Sequence, residues 1–163
     1  MILGFTAFTW FHTILSLVAI LAGFVVVRDL LASRTRPTWT GIFIATAVLT
    51  SATGFGFTAP FGASHVVGII SLVLLAASIV ALYGFKLVGP WRWIYAVGQT
   101  LAQYFLVFVL VAQFFKKIPT LAALAPTQSE PPFAIAEGVV LVIFVALTIA
   151  AARKFHPQDA FAK

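Results

Sequence analysis

The stretch Phe133-Ala-Ile-Ala-Glu-Gly-Val-Val-Leu-Val-Ile-Phe-Val-Ala-Leu-Thr-Ile-Ala-Ala-Ala152 decides the fold class. Its only ionisable group is Glu137, and Arg153-Lys154 closes it. As a helix, an apolar run of about 20 residues matches the hydrocarbon thickness of a bilayer. A carboxyl group at the centre of such a helix costs roughly 2.5–3.5 kcal/mol on insertion scales, so it is rarely there without a partner or a role.

Four other runs of similar character precede it. They cover residues 5–27, 39–57, 65–85 and 91–115, with the last span at 133–152. Their boundaries are polar or helix-breaking: Arg28-Asp29, Pro60 with Gly62, Lys86 with Gly89-Pro90, and Lys116-Lys117. The chain is 62% hydrophobic and only 9% charged over 163 residues. A water-soluble domain carries about 25% charged residues, so this chain cannot build a polar exterior. The expected fold is all-α, a polytopic transmembrane bundle of five spans in a single domain.

Charge fixes the expected orientation. Arg28, Arg34, Arg36, Lys86, Arg92, Arg153, Lys154 and Lys163 share one side, and Lys116 and Lys117 stand alone on the other. The positive-inside rule puts the N-terminus outside and the C-terminus in the cytoplasm. Trp39, Trp91, Trp93 and Tyr83 cluster at the cytoplasmic ends as an interfacial belt. If the Thr-rich second run did not cross, every later loop would invert, which favours five crossings over four. The net charge of +6 is therefore a topology and headgroup signal rather than a nucleic-acid one. No Lys or Arg precedes the first run, so a cleaved leader is not expected. The outer loop, residues 118–132, holds Pro119, Pro126, Pro131 and Pro132 and cannot be one helix. A short helical turn over Leu121 to Leu124 is expected within it.

Polar side chains inside the spans recur at helical spacing and so face other helices, because lipid cannot satisfy them. The stripes are Thr9, His12, Ser16 and Gly23; Thr46, Thr50 and Thr53; Ser64, Gly68, Ser71 and Ser78; Gln99, Gln103, Gln113 and Lys117; and Glu137 with Thr148. Small-residue pairs such as Gly41/Ala45, Ala47/Ser51, Ala52/Gly56 and Gly98/Ala102 let helices approach closely. Gln99 and Gln103 either bond between helices or line a polar cavity.

The candidate ligand- or ion-binding residues are Glu137, His12, His65, Gln113 and Thr50. At 1.5 Å per residue His12 lies roughly 10 Å and Glu137 roughly 6 Å below the outer boundary, with His65 and Gln113 near it. Each also has a structural alternative. His65 can cap a helix, His12 can donate to a neighbouring carbonyl, and Glu137 can pair with Lys116, Lys117 or His12. His156 stands apart in the tail.

The runs Ser64-His-Val-Val-Gly-Ile-Ile-Ser-Leu72, Trp91-Arg-Trp-Ile-Tyr95 and Ala125-Pro-Thr-Gln-Ser-Glu-Pro-Pro-Phe133 resemble those of a family of small proteobacterial integral membrane proteins. The resemblance would cover nearly the whole chain. It implies the bacterial inner membrane and carries over no catalytic or binding residue.

Proton- or cation-linked transport or sensing at the outer-leaflet polar site is the leading functional expectation. A non-catalytic subunit or assembly factor of a larger membrane complex is the alternative, and a homo-oligomer would answer the small number of spans. A b-haem or quinone protein using His12 and His65 comes third. A divalent metal on His12, His65 and Glu137 would suit zinc or iron, although no ligand pair shares one helix. The absence of Cys excludes disulfides, thiolate nucleophiles and iron–sulfur ligation. No phosphate-binding glycine loop, nucleophile elbow or paired catalytic carboxylates occur, so an enzyme is not expected.

Overall fold

The computed structural model of the chain describes residues 6–57 and 62–157. Phe5, Pro60 and Lys163, used above for span limits and charge, lie outside the described residues. The elements are α1 (Ala7–Leu31), α2 (Pro37–Gly54), α3 (Ala63–Ile79) running on through a π-helical turn (Val80–Gly84), α4 (Trp91–Lys117), the short α5 (Pro119–Leu124) and α6 (Pro131–Lys154). There is no strand among the described residues.

The helix limits follow from local chemistry. Thr6 caps α1 by accepting from the Thr9 N–H at 3.2 Å. Pro37, Pro119 and Pro131 open their helices, where a missing N–H costs nothing. Lys116 and Lys117 end α4, and Arg153 and Lys154 end α6, each pair beside the negative end of the helix dipole. After the π-helical turn, Lys86, Leu87 and Gly89 take positive φ, and the Leu87 N–H closes the turn on the Ala81 carbonyl at 3.0 Å.

Four helices are long and apolar enough to cross a bilayer: α1, α3 with its π-helical turn, α4 and α6. The protein is therefore a multi-pass helical membrane protein. The second of the five expected spans differs from the rest: α2 carries Thr38, Thr40, Thr46, Thr50, Thr53 and Ser51 within its 18 residues. Its hydroxyls are partly absorbed by its own backbone, Thr46 donating to the Ile42 carbonyl at 2.6 Å and Thr53 to that of Leu49 at 2.7 Å.

Helices α1, α2, α3 and α4 form a ring in which each packs on the next, and α6 lies outside it, mainly against α4 and also touching α1. Contacts fix the register. His12 meets Thr53 and Gly23 faces Phe43, so α1 and α2 are antiparallel. Phe55 packs on His65 and Gly68 between α2 and α3. Gly98 of α4 lies against Ser78 and the Leu74 carbonyl of α3. Phe115 meets Phe133, and Tyr104 meets Phe144, between α4 and α6. Helix α4 is thus the hub, using separate faces for α1, α3 and α6.

The ring is packed most closely towards one end. Buried positions in α1 begin only at Ala19, and those of α3 and α4 concentrate at Ser71–Ser78 and Tyr95–Gln103. Arg28, Arg36, Lys86 and Arg92 mark this basic end. There Asp29, 3% exposed, is clamped by the Arg36 guanidinium at 2.6 and 2.9 Å, a hydrogen bond that holds Arg36 above its ordinary pKa. Arg92 donates to the Phe155 carbonyl at 2.8 Å, and the His156 N–H donates to Ser33 Oγ at 2.7 Å. Those contacts tie the segment after α6 to the ring.

Two of the glycine-containing pairs expected to glue helices, Gly98/Ala102 and Gly41/Ala45, separate in the structure. A β-carbon at Gly98 would press on Ser78 and come within 3.1 Å of the Leu74 carbonyl oxygen, whereas one at Gly41 would meet nothing within 4 Å. The Gly41/Ala45 pair faces no helix; spacing alone does not say which side is covered. Gly98→Val should lower stability by about 1–3 kcal/mol or more through overpacking. Gly41→Ala should be neutral or stabilising by up to about 1 kcal/mol. Thermal unfolding of both variants in detergent checks the contrast.

Candidate functional site

Glu137 is on the one face of α6 that is covered. The residues Phe133, Glu137, Phe144 and Ala151 fall within about a quarter-turn of each other on a helix, and Glu137, Phe144 and Ala151 are its buried positions. The opposite face, with Ile135, Val139 and Val142 (69% exposed), is bare of protein. The ring pairs Phe115–Phe133 and Tyr104–Phe144 bracket Glu137 from above and below, so it lies on the side of α6 that packs on α4.

Glu137 is 8% exposed, and neither carboxyl oxygen has a hydrogen-bond partner among the described residues. The expected pairing with Lys116, Lys117 or His12 is not made: the one ion pair among the described residues is Asp29 with Arg36. Tyr104 is within electrostatic reach of Glu137, a neighbour the sequence did not single out. The loop between α5 and α6 covers this region, since Gln128 donates to the Ala112 carbonyl at 2.7 Å. At the start of α6, partial burial pulls the Glu130 pKa upward. Hydrogen bonds from Thr127 and Ser129 outweigh it and hold this carboxyl below the usual carboxylate range.

The histidines go elsewhere. His12 Nδ1 meets Thr53 Oγ1 at 2.9 Å between α1 and α2, with Phe57 edge-on to its ring. Its expected carbonyl partner is replaced by a hydroxyl that itself donates to Leu49. His65 Nδ1 accepts from the Gly62 N–H at 3.2 Å at the start of α3 and packs on Phe55. The two rings thus flank the last turn of α2, each with its own partner. His12 and Glu137 share a level, as the registers through α4 require, yet one faces α2 and the other α4. No three His, Asp or Glu side chains among the described residues stand together as a metal site, so the set His12, His65 and Glu137 is not assembled as ligands.

Gln113 is exposed, because the helices cover less of one another towards this end of the ring. Thr50 is 8% exposed on the inner face of α2, its hydroxyl unpartnered. Gln99 and Gln103 are fully buried inside the ring. Gln103 Nε2 donates to the Ile20 carbonyl at 2.9 Å, while its Oε1 and both amide atoms of Gln99 have no partner. The sequence missed that Tyr95, one turn before Gln99, extends this stripe: its hydroxyl lies 3.4 Å from Thr40 Oγ1. The i, i+4 spacing of Tyr95, Gln99 and Gln103 was the available signal.

Fold and site together define a small multi-pass helical membrane protein with an unpaired carboxyl under its last long helix and a polar seam inside its ring. No family model, curated protein or solved structure matches the chain.

Proposed function

We propose that the chain is a five-span protein of a bacterial inner membrane, N-terminus outside and C-terminus cytoplasmic, that serves proton- or cation-linked transport or sensing through Glu137. The observation that carries this reading is the Glu137 carboxyl, 8% exposed and without a hydrogen-bond partner. An anion so placed is stable only with a compensating cation or proton, because its transfer from water is otherwise prohibitive. Structural carboxylates avoid that cost by pairing, as Asp29 does with Arg36. Glu137 is therefore a group kept for binding rather than for holding helices together. Phe115, Phe133 and Phe144 supply a dry wall that makes its occupancy sensitive to which cation arrives.

The test is purified protein in vesicles loaded with a pH- or cation-sensitive dye, with valinomycin and potassium to balance charge. Dissipation of a proton or sodium gradient faster than in protein-free vesicles supports the reading. Rates equal to those of protein-free vesicles for both ions, in a protein that is folded and inserted, overturn it.

Five crossings are supported by α2 spanning about 27 Å at 1.5 Å per residue alongside α1, by its antiparallel register with both neighbours, and by the distribution of Lys and Arg. Because the chain has no Cys, single cysteines report topology without background. Ser33→Cys and Val88→Cys should react with an impermeant maleimide from the same side of the membrane. Labelling from opposite sides means that α2 does not cross.

A further inference from the structure

The ring interior carries polar groups from one end to the other. Nearest the basic end is the Asp29–Arg36 clamp, followed by the Tyr95 hydroxyl beside Thr40. One turn along α4 comes Gln99, 0% exposed, with neither its Oε1 nor its Nε2 partnered. A further turn brings Gln103, bound to Ile20 through Nε2 and unpartnered at Oε1. Thr50 follows with a buried, unpartnered hydroxyl, and His12 with Thr53 ends the series. The contacts Gln103–Ile20, Gly23–Phe43 and His12–Thr53 put these groups in that order along α1.

A buried amide with no partner costs roughly 2–7 kcal/mol, and four unpartnered atoms on three side chains in one seam are not a packing accident. Buried polar groups that protein does not satisfy are satisfied by ordered water. The spacing suits water: a four-residue step along a helix rises about 6 Å, close to two hydrogen bonds of about 2.8 Å end to end. One water fits between successive groups on α4, and the longer step from Gln103 to Thr50 takes more than one. The buried residues around the seam include Ala19, Ala22, Ala47 and Ala102, whose small side chains keep apolar bulk away from it.

We propose that this seam is a hydrated path, with water seated on Gln99, Gln103 and Thr50 joining the Tyr95–Thr40 pair to the His12–Thr53 pair and passing protons between the two ends. Glu137 is not part of it, since it meets a different face of α4. Each proton that enters at one end is matched by one released at the other, and the Gln amides orient the waters without titrating.

The experiment uses the full chain in bilayers. Magnetisation transfer from water protons is followed by solid-state NMR to the side chains of Gln99 and Gln103, with Arg34 as the wet reference and Val142 as the dry one. Gln99 should build up as fast as Arg34. In dye-loaded vesicles with valinomycin and potassium, Gln99→Leu should lower proton flux about tenfold or more, a barrier change of about 1.4 kcal/mol. Leu replaces an unmet amide by an apolar group of similar size, so the fold should survive. If that variant does not insert, the water transfer in the unmodified protein still decides. A Gln99 as dry as Val142, or a proton flux untouched by Gln99→Leu, overturns the proposal. Glu137→Gln should leave Gln99 wet, which separates this path from the Glu137 reading.

Discussion

Glu137→Gln is expected to reduce sodium-gradient dissipation to the rate of protein-free vesicles while leaving the protein folded and proton flux through the ring seam in place. Glutamine fills the same space and keeps hydrogen-bonding capacity, but it can neither hold a proton for release nor attract a cation. The change also removes the one unpaired carboxyl from the α4–α6 contact, so the detergent melting temperature should stay level or rise. That pairing of outcomes is diagnostic. A structural carboxylate would give the reverse, a loss of stability, because its partner would be stranded. Unchanged flux with unchanged stability would mean that Glu137 is a passenger. His156→Ala, at the far side of the molecule from Glu137, should leave flux intact.

Gly23→Leu should prevent the ring from closing. A β-carbon at Gly23 would overlap the Gln103 amide and come within 2.7 Å of Phe43 Cε2. Gln103 cannot simply swing away, because it is fully buried and bonded to Ile20. Phe43 is also fully buried. Even Gly23→Ala should cost about 1–3 kcal/mol from overpacking and about 1 kcal/mol more for the lost hydrogen bond. A branched side chain exceeds that by enough to exhaust a total stability of about 5–15 kcal/mol. Thermal unfolding and yield after mild solubilisation report both variants. Gly23→Ala combined with Gln103→Ala should recover part of the loss, since one obstacle is gone and Phe43 remains. Additivity of the two single effects would show that the side chains do not collide.

Much of the helical layout was legible because lipid imposes it. Apolar length, Pro at helix starts and Lys or Arg at helix ends set limits that differ by only a few residues from the observed helices. The short α5 was readable from the prolines around it. The burial of Glu137 was legible too, from its place with Thr148 on a polar stripe that lipid cannot satisfy. What the sequence withheld was azimuth between helices. His12 and Glu137 lie at one depth, but depth says nothing about which neighbour each helix turns towards. Gln113 continues the Gln99 stripe, yet the cover thins at that level and leaves it exposed. Gly41/Ala45 has the spacing of Gly98/Ala102 without the partner. In each case the missing information was the order of helices around α4, which only long-range contacts specify.

The strap at the basic end bears on how the molecule is made. Arg92 waits for a carbonyl 63 residues further along the chain, and the Phe155 ring seats under Tyr95. While the ribosome is still producing the final long helix, the earlier rods sit in the bilayer with the side of α4 that this helix covers open to whatever chains lie beside it. Quality-control proteases in the membrane therefore have a window that shuts only when residue 155 arrives, and truncation just before that point should yield a protein that inserts normally yet is rapidly cleared.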